Sequence, residues 1–113
     1  MVYGVDLDEM AVIRAKENAA LNECDIFLEK NNLIEGVNSQ ALRPNLIVAN
    51  LLAQVIISML VDVKAVLAEG DIFICSGIID NEKGRVVDAL VEHGFHIADV
   101  CVENGWIAIA ALR

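Results

Sequence analysis

The sequence VYGVDLD, residues 2–8, decides the fold of this chain. It is an apolar run that ends in Asp6, and Asp8 follows at a position where it can cap a helix. A strand that ends in an acid and leads directly into a helix is typical of an α/β nucleotide site, in which the carboxylate binds ribose hydroxyls. Such sites carry a Gly-rich phosphate turn about 20 residues upstream, and this chain contains no Gly-x-Gly sequence. We therefore expect the second half of a nucleotide site, within part of an enzyme.

Strand-like and helix-like segments alternate along the rest of the chain. The predicted strands are Val2–Asp6, Ile26–Glu29, Leu46–Ala49, Asp71–Ser76, Phe95–Val102 and Trp106–Leu112. The predicted helices begin after Asp8, Asn50 and Asp80–Asn81, and they end near Asn22, Leu67 and Gly94. This alternation predicts an α/β fold with a mostly parallel sheet, and the Asn-Gly between the last two apolar runs predicts a closing antiparallel hairpin.

Several local features refine this prediction. The Leu46–Ala49 strand contains no polar residue, which predicts a central strand covered on both faces. Gly77 is expected to form a tight turn after the fourth strand, and Asp80 or Asn81 is expected to cap the third helix. Residues 30–44 are polar and contain Gly and Pro, which is typical of a loop.

The apolar composition raises the question of a membrane segment. The chain has 113 residues, which is enough for one domain. Hydrophobic residues make up 57% of them, and the mean hydropathy is +0.55. Residues 46–63 are long enough to span a bilayer, but Asn50, Gln54, Ser58 and Asp62 recur at a spacing of four. This spacing predicts a polar stripe along a mostly buried helix, and an Asp facing lipid would be costly. We therefore expect no membrane span.

Charge and cysteine content restrict the class of protein further. The formal net charge is −9, which argues against a nonspecific nucleic-acid surface. The N-terminus lacks a basic stretch before an apolar run, so no signal peptide is predicted. Cys24, Cys75 and Cys101 are odd in number and lack Cys-x-x-Cys spacing, which favours reduced, partly buried thiols in a cytoplasmic protein. A catalytic cysteine is the weaker alternative. His93 and His96 are expected at the end of a helix and the start of a strand, and neither is assigned a catalytic role.

Five short motifs follow one another along the sequence. They are Gly4-Val5-Asp6-Leu7-Asp8, Glu17-Asn18-Ala19 with Leu21-Asn22, Val48–Ala53, Ser76-Gly77-Ile78 and Glu103–Trp106. Their order and spacing resemble the C-terminal catalytic domain of the ribosomal protein L-eleven methyltransferases (PrmA-like enzymes), over nearly the whole chain. The resemblance implies that residues 1–113 form a partial methyltransferase catalytic domain with an incomplete Rossmann-like class I methyltransferase sheet. It also implies S-adenosylmethionine as the cofactor and a lysine or N-terminal amine of a ribosomal protein as the substrate.

The resemblance implies that Asp6 is the acid that binds the ribose of the cofactor. A carboxylate accepts hydrogen bonds from two hydroxyls, and its charge roughly doubles the strength of each bond. Two alternatives remain open from the residues alone: Asp6 only ends the strand or caps the helix, or Asp6 and Asp8 form a metal-binding pair. No metal is assigned to the chain.

The same resemblance places Asn50 beside the methyl donor, as a catalytic and cofactor-binding residue. Its amide and nearby carbonyls would accept hydrogen bonds from the substrate nitrogen and orient its lone pair toward the methyl group, which is catalysis mostly by positioning. Leu51 and Leu52 follow Asn50, where related amino-methylating enzymes carry Pro-Pro-Tyr. The alternative is that Asn50 caps the long helix, a role compatible with substrate binding.

The remaining assignments rest on looser matches. Asn31 corresponds to a position that meets the adenine, and a role in a loop turn is an equal alternative. Substrate contacts are assigned to Leu51, Ser76 and Trp106, with packing in the last strand as the alternative for Trp106. Gly77 adjoins Ser76 and serves the turn.

The absence of the Gly-rich loop leads to an expectation about assembly. In the resembled family, a strand lies between those that end at Asp6 and Asn50. Without it two apolar strand edges stay open, and open edges invite another chain. We therefore expect the two edges to pair directly, or a second copy to fill the gap in a homo-oligomer.

Three functions follow for the chain, in order of preference. The first is part of a protein N-methyltransferase that is inactive, or binds cofactor weakly, as an isolated chain. The second is a non-catalytic remnant that acts as a self-association module. The third is a different Rossmann-like nucleotide binder, which ranks last because such a site needs its own Gly-rich loop.

Overall fold

The computed structural model of the protein describes residues 1–37 and 42–113. Residues 38–41, within the predicted loop 30–44, lie outside the described residues. The elements run in the order β1 (Tyr3–Asp6), α1 (Glu9–Leu21), β2 (Phe27–Lys30), β3 (Leu46–Asn50), α2 (Ala53–Val66), β4 (Ile72–Ile79), a 3-10 turn (Asp80–Glu82), α3 (Lys83–Glu92), β5 (His96–Glu103) and β6 (Trp106–Leu112). This order confirms the predicted alternation and the closing hairpin. The chain divides into two compact units, Met1–Gly36 and Val37–Arg113.

The first unit is a βαβ unit with a two-stranded parallel sheet. Asp8 caps α1, because its side chain accepts a hydrogen bond from the Met10 N–H at 3.0 Å, and Asn22 is the C-cap. Both helix ends were predicted correctly. Val12 is the buried residue of α1. On β1, the Tyr3 ring stacks on Phe27 with centroids 5.4 Å apart.

The second unit holds a four-stranded mixed sheet in the order β3-β4-β6-β5. β3 and β4 are parallel, whereas β6 runs antiparallel to both β4 and β5. Helices α2 and α3 pack against this sheet and against each other. The largest fully buried side chains include Phe73, Ile56, Leu60, Leu90 and Ile109. The described residues are therefore α/β, and the sheet of the second unit is mixed with a closing antiparallel hairpin, as predicted.

The position of β3 differs from the prediction. It lies at the edge of the four-stranded sheet, paired only with β4 among the described residues, and not at the centre. Leu46 and Val48 are 50% and 64% exposed. The apolar composition of the strand is that of a central strand, but the strand lacks a second neighbour in the described part of the chain.

The two open edges do not pair with each other. Among the described residues, β1 belongs to the two-stranded sheet and β3 to the four-stranded sheet. Direct pairing, one of the two predicted outcomes, is therefore wrong for the described residues, because β1 and β3 belong to separate sheets. Filling of the gap by a second copy stays a prediction.

Strand β4 runs further than predicted. It continues through Ser76 and Gly77 to Ile79, and a register shift against β6 falls between Cys75 and Ile78. Gly77 has a φ of +79°, a left-handed conformation that costs glycine little. Gly77 therefore belongs to a bulge within the strand and not to a tight turn. Such bulges re-aim side chains beside functional sites.

The start of the third helix also differs from the prediction. Asp80–Glu82 form a 3-10 turn, and α3 begins at Lys83 without a side-chain capping hydrogen bond. Neither Asp80 nor Asn81 caps α3. The predicted end of this helix is confirmed, since His93 is the C-cap and Gly94 follows with a φ of +84°.

The β5–β6 hairpin turns at Asn104-Gly105. Both residues have positive φ angles, +50° and +81°, which is the geometry of the two-residue turn that Asn-Gly favours. The sequence prediction of this turn is confirmed.

The polar stripe predicted on the long helix is also present. Gln54, Ser58 and Asp62 are exposed on α2, whereas Ile56, Leu60 and Val63 are fully buried. Within residues 1–37 and 42–113, no helix combines the length and the apolar character needed to cross a bilayer.

Candidate functional site

Asn50 lies at the carboxyl end of β3, where open α/β sheets bind ligands. It is exposed and pairs in register with Ser76 of the parallel strand β4. The pairing continues one residue further, because the Leu51 N–H donates to the Ser76 carbonyl oxygen at 3.1 Å. Three residues predicted from the sequence, Asn50, Leu51 and Ser76, are therefore brought together at one strand end.

The helix-capping alternative for Asn50 is wrong. Helix α2 begins at Ala53, and its N-cap is Leu52, which makes no side-chain capping hydrogen bond. Asn50 stands two residues before the cap. The first turn of α2 therefore gives no structural reason for an amide at this position.

Backbone and side-chain acceptors converge beside Asn50. A Cβ built on Gly77 would overlap the Asn50 Oδ1 atom and would lie 3.1 Å from the Leu51 carbonyl oxygen. Both oxygens therefore lie next to the same point above the Gly77 Cα. These distances show how closely Gly77 packs against Asn50 and Leu51, and binding of a substrate amine by the two oxygens stays a prediction. Sequence analysis missed this close contact of Gly77 with Asn50, and its sequence signal was the place of Gly77 in the Ser76-Gly77-Ile78 motif.

Asp6 occupies the corresponding position in the first unit, at the carboxyl end of β1. It is exposed, and its Oδ1 accepts a hydrogen bond from the Asp8 N–H at 2.9 Å. Asp8, not Asp6, caps α1, so the capping alternative for Asp6 is wrong. A carboxylate has about four lone-pair positions, so this single bond leaves acceptor capacity for ligand hydroxyls.

Asn31 is engaged by its own loop. Its Nδ2 donates to the Glu35 carbonyl oxygen at 3.1 Å, and its Oδ1 accepts from the Asn32 N–H at 2.8 Å. Both ends of the amide thus stabilise the turn after β2, which favours the loop-turn alternative. Adenine binding by Asn31 stays a prediction.

Trp106 begins β6, where it pairs with Ile79 and Glu103. It therefore lies in the last strand, as the packing alternative predicted, but it is 56% exposed. A large aromatic surface at the rim of the sheet is suited to binding, and contact with substrate stays a prediction.

The three thiols occupy different environments. Cys24 and Cys101 are exposed, whereas Cys75 is buried, and all three are free. Burial raises the pKa of Cys75 from 9.0 to about 11. Because the thiolate is the nucleophilic form, Cys75 is unsuited to catalysis at neutral pH.

The acids and histidines form no metal-binding group of three or more side chains within the described residues. His93 Nδ1 lies 2.7 Å from the Ala89 carbonyl oxygen at the end of α3. This contact agrees with the predicted helix-end role of His93.

Comparison with known proteins gives consistent results. The sequence model of the family described as "Ribosomal protein L11 methyltransferase (PrmA)" matches residues 1–113. A ribosomal protein L11 methyltransferase of Halalkalibacterium halodurans is 45% identical over 112 residues, which cover 97% of this chain and 35% of that protein. Its counterpart in Dictyoglomus turgidum is 36% identical over 97% of this chain and 36% of its own length. The chain therefore spans about a third of the length of these curated relatives.

Solved structures agree with the sequence comparison. The crystal structure of a ribosomal protein L11 methylase from Lactobacillus delbrueckii subsp. bulgaricus matches with a TM-score of 0.92 and 33% identity. The match covers 99% of this chain and 57% of that one. A precorrin-6y C5,15-methyltransferase from Geobacter metallireducens matches with a TM-score of 0.79 over 98% of this chain and 66% of its own. At 13% identity, that second match concerns the fold alone.

Proposed function

We propose that this chain, which belongs to the ribosomal protein L11 methyltransferase (PrmA) family, is part of a protein N-methyltransferase. In this proposal Asp6 is the acid that binds the ribose of the cofactor, and Asn50 is the amide that binds the substrate amine. The family match over all 113 residues carries this proposal. The positions of Asp6 at the carboxyl end of β1 and of Asn50 at the carboxyl end of β3 support it. The methylated substrate would be a ribosomal protein, through a lysine or N-terminal amine.

The acceptor at the strand end of the first unit fits a ribose. Asp6 is an exposed carboxylate at the end of a parallel strand, with one hydrogen bond to the Asp8 N–H. Its remaining lone pairs would accept hydrogen bonds from ribose hydroxyls, and the negative charge strengthens them. When bound, S-adenosylmethionine supplies an electrophilic methyl group on a sulfonium sulfur.

In the second unit, Asn50 would position the nucleophile. Its Oδ1 and the Leu51 carbonyl oxygen would accept the two N–H groups of a neutral amine. The nitrogen lone pair would then point away from both acceptors and could attack a methyl group. As the C–N bond forms, the bond between that methyl and its sulfonium sulfur would break with its electron pair left on sulfur, and the methylated ammonium would lose a proton to water. This role requires geometry and no ionisation of Asn50.

A chimera tests the proposed role of Asn50. Residues 1–113 would replace the matched region of the Halalkalibacterium halodurans relative, and transfer of labelled methyl to ribosomal protein L11 would be measured. We expect an active chimera, and we expect Asn50→Ala to lower kcat by about 100-fold. Asn45→Ala, at the opposite end of the same β-strand region, is the matched control and should leave kcat unchanged. An inactive chimera, or equal rates for the two variants, would contradict the proposal.

As an isolated chain, the protein should bind cofactor weakly or not at all. It contains no Gly-x-Gly sequence, and in nucleotide sites that turn supplies the backbone amides around the ligand. Calorimetric titration with S-adenosylhomocysteine would measure this, and low-micromolar binding would show that the turn matters less than we propose. Cytoplasmic location and the absence of nucleic-acid partners also stay predictions.

A second candidate function is self-association. The specific observation in its favour is the apolar edge strand β3, on which Val48 is 64% exposed. An open strand edge of this kind is a template for pairing with another chain. A second copy would supply that chain, as a homo-oligomer.

Light scattering coupled to size-exclusion chromatography tests the association. We expect the wild-type chain to elute as more than a monomer at micromolar concentration, and Val48→Lys to shift it toward the monomer. Val61→Lys is the matched control, because Val61 is also 64% exposed but lies on helix α2. A monomeric wild type would exclude self-association.

A further inference from the structure

Gly77 combines two constraints that its neighbours in sequence do not share. Its φ of +79° is in the left-handed region, and it lies in the bulge of β4, between a parallel pairing with β3 and an antiparallel pairing with β6. The bulge therefore brings the Gly77 backbone toward the end of β3, where Asn50 lies.

The approach is closest at the Asn50 side chain. A Cβ built on Gly77 would overlap Asn50 Oδ1 and would lie 3.1 Å from the Leu51 carbonyl oxygen and 3.2 Å from the Leu51 nitrogen. The backbone cannot easily move aside, because the Leu51 N–H is hydrogen-bonded to the Ser76 carbonyl oxygen at 3.1 Å. A side chain at position 77 would therefore have to displace the Asn50 amide.

Other glycines with positive φ provide an internal comparison. Gly94, with a φ of +84°, would bring a Cβ to 3.0 Å from the Nζ atom at the flexible end of Lys64. Gly36, Gly70 and Gly105 have φ angles of +73°, +87° and +81°, and a Cβ on any of these three would meet nothing within 4 Å. Backbone conformation alone thus requires glycine at those positions. Gly77 differs because a proposed functional side chain occupies the space that a Cβ would need.

We propose that Gly77 is a positioning residue that holds the Asn50 amide in its substrate-binding orientation. The bare Cα of Gly77 forms one wall beside the amide, and the Leu51 backbone, held to Ser76, forms the other. The Asn50 Oδ1 atom then keeps its place against the Gly77 Cα. The inference rests on the proposed role of Asn50 in amine binding, but the contact itself can be tested without activity.

The first test uses nuclear magnetic resonance of the 113-residue chain. Gly77→Ala should shift the side-chain amide signals of Asn50. Gly70→Ala imposes a similar backbone strain without a neighbour, so it should leave those signals in place. Unchanged Asn50 signals in Gly77→Ala would overturn the proposal.

The second test measures unfolding by urea and covers the case in which Gly77→Ala does not fold. The loss in midpoint caused by Gly77→Ala should exceed the loss caused by Gly70→Ala. Removing the Asn50 side chain should relieve the part of the excess that Asn50 causes, so the gap between the Gly77→Ala and Gly70→Ala midpoints should be smaller in the Asn50→Gly background than in the wild type. The close Leu51 backbone atoms leave a remainder in both backgrounds. A gap that is unchanged without the Asn50 side chain would assign Gly77 a purely structural role.

The third test links the contact to catalysis in the active chimera. Gly77→Ala should lower kcat by about 100-fold, as expected for a misplaced binding group, whereas Gly70→Ala should not. If the chimera responds to Asn50→Ala but treats the two glycine variants alike, the positioning role fails and the proposed function stands. If the wild-type chimera is inactive, the proposed function fails, and the spectroscopic and unfolding results still decide whether Gly77 orients Asn50.

Discussion

The polar side chains at the strand ends differ in how many hydrogen bonds they already make within the protein. Asn31 uses both its amide oxygen and its amide nitrogen within its own loop. Asp6 uses one oxygen for the Asp8 N–H, and Asn50 does not cap the helix that follows it. Because a side chain held by the fold has less capacity for a ligand, Asn50 and Asp6 are better candidates than Asn31.

Cys75 allows a prediction about pH at the scale of one residue. Burial raises its pKa from 9.0 to about 11. Below pH 9 the thiol is neutral in both states, but between pH 9 and about 11 the unfolded chain loses the proton that the folded chain retains. The free energy of unfolding should therefore fall in this window by about 1.4 kcal/mol per pH unit from this group.

Urea unfolding between pH 8 and pH 11 would measure this contribution. Cys75→Ala removes the titrating group, so its free energy of unfolding should fall less steeply than that of the wild type in this window. Other groups, including Tyr3, titrate equally in both proteins and cancel in the comparison. Parallel curves for the two proteins would contradict the assignment.

Among the secondary-structure elements, α2 shows how one face of a helix carries the stability. Ile56, Leu60 and Val63 are fully buried, whereas Val61 is 64% exposed. The helix lacks a side-chain N-cap, which usually contributes about 1 kcal/mol. Its stability must therefore come mainly from burial against the sheet and α3.

We expect Leu60→Ala to lower the free energy of unfolding by roughly 2–5 kcal/mol, the range found when a buried leucine is replaced by alanine and a cavity remains. Val61→Ala, one residue further along the same helix, should change it by no more than about 0.5 kcal/mol. Thermal or urea unfolding would measure both. Similar losses for the two variants would mean that α2 is not packed as described.

At the scale of the whole molecule, the two units differ in the apolar surface that they bury. Among the described residues, Val12 is the one buried hydrophobic residue of the first unit, whereas the remaining buried hydrophobic residues belong to the second unit. A two-stranded sheet is marginally stable in isolation. The first unit should therefore open more often than the second.

Native-state hydrogen exchange would test this difference. Amides of β1 and β2, such as Gly4 and Leu28, should exchange faster than amides of β4 and β6, such as Phe73 and Ile109. Exchange rates follow the free energy of local opening. Equal protection of the two units would contradict the prediction.

Local sequence features predicted much of the secondary structure. The caps at Asp8 and Asn22 and the Asn104-Gly105 turn were predicted correctly, because each depends on residues a few positions apart. The resemblance of the motifs to one family was sufficient to recognise the fold class. It also led to Asn50, Leu51 and Ser76, which the structure brings together at one strand end.

Other features depend on which strands become neighbours. An apolar run such as Leu46–Ala49 has the same composition whether its second edge is paired or open, so composition alone predicted a central strand. The open edge of β3, found among the described residues, followed instead from the strand order of the resembled family. Whether Asn50 caps α2 depends on the residue at which α2 begins. The sequence pattern predicted that residue only to within a few positions. The contact of Gly77 with Asn50 joins two strands that are distant in sequence. Residue patterns encode local conformation and burial, whereas a contact of this kind exists only after β3 and β4 have paired in one register.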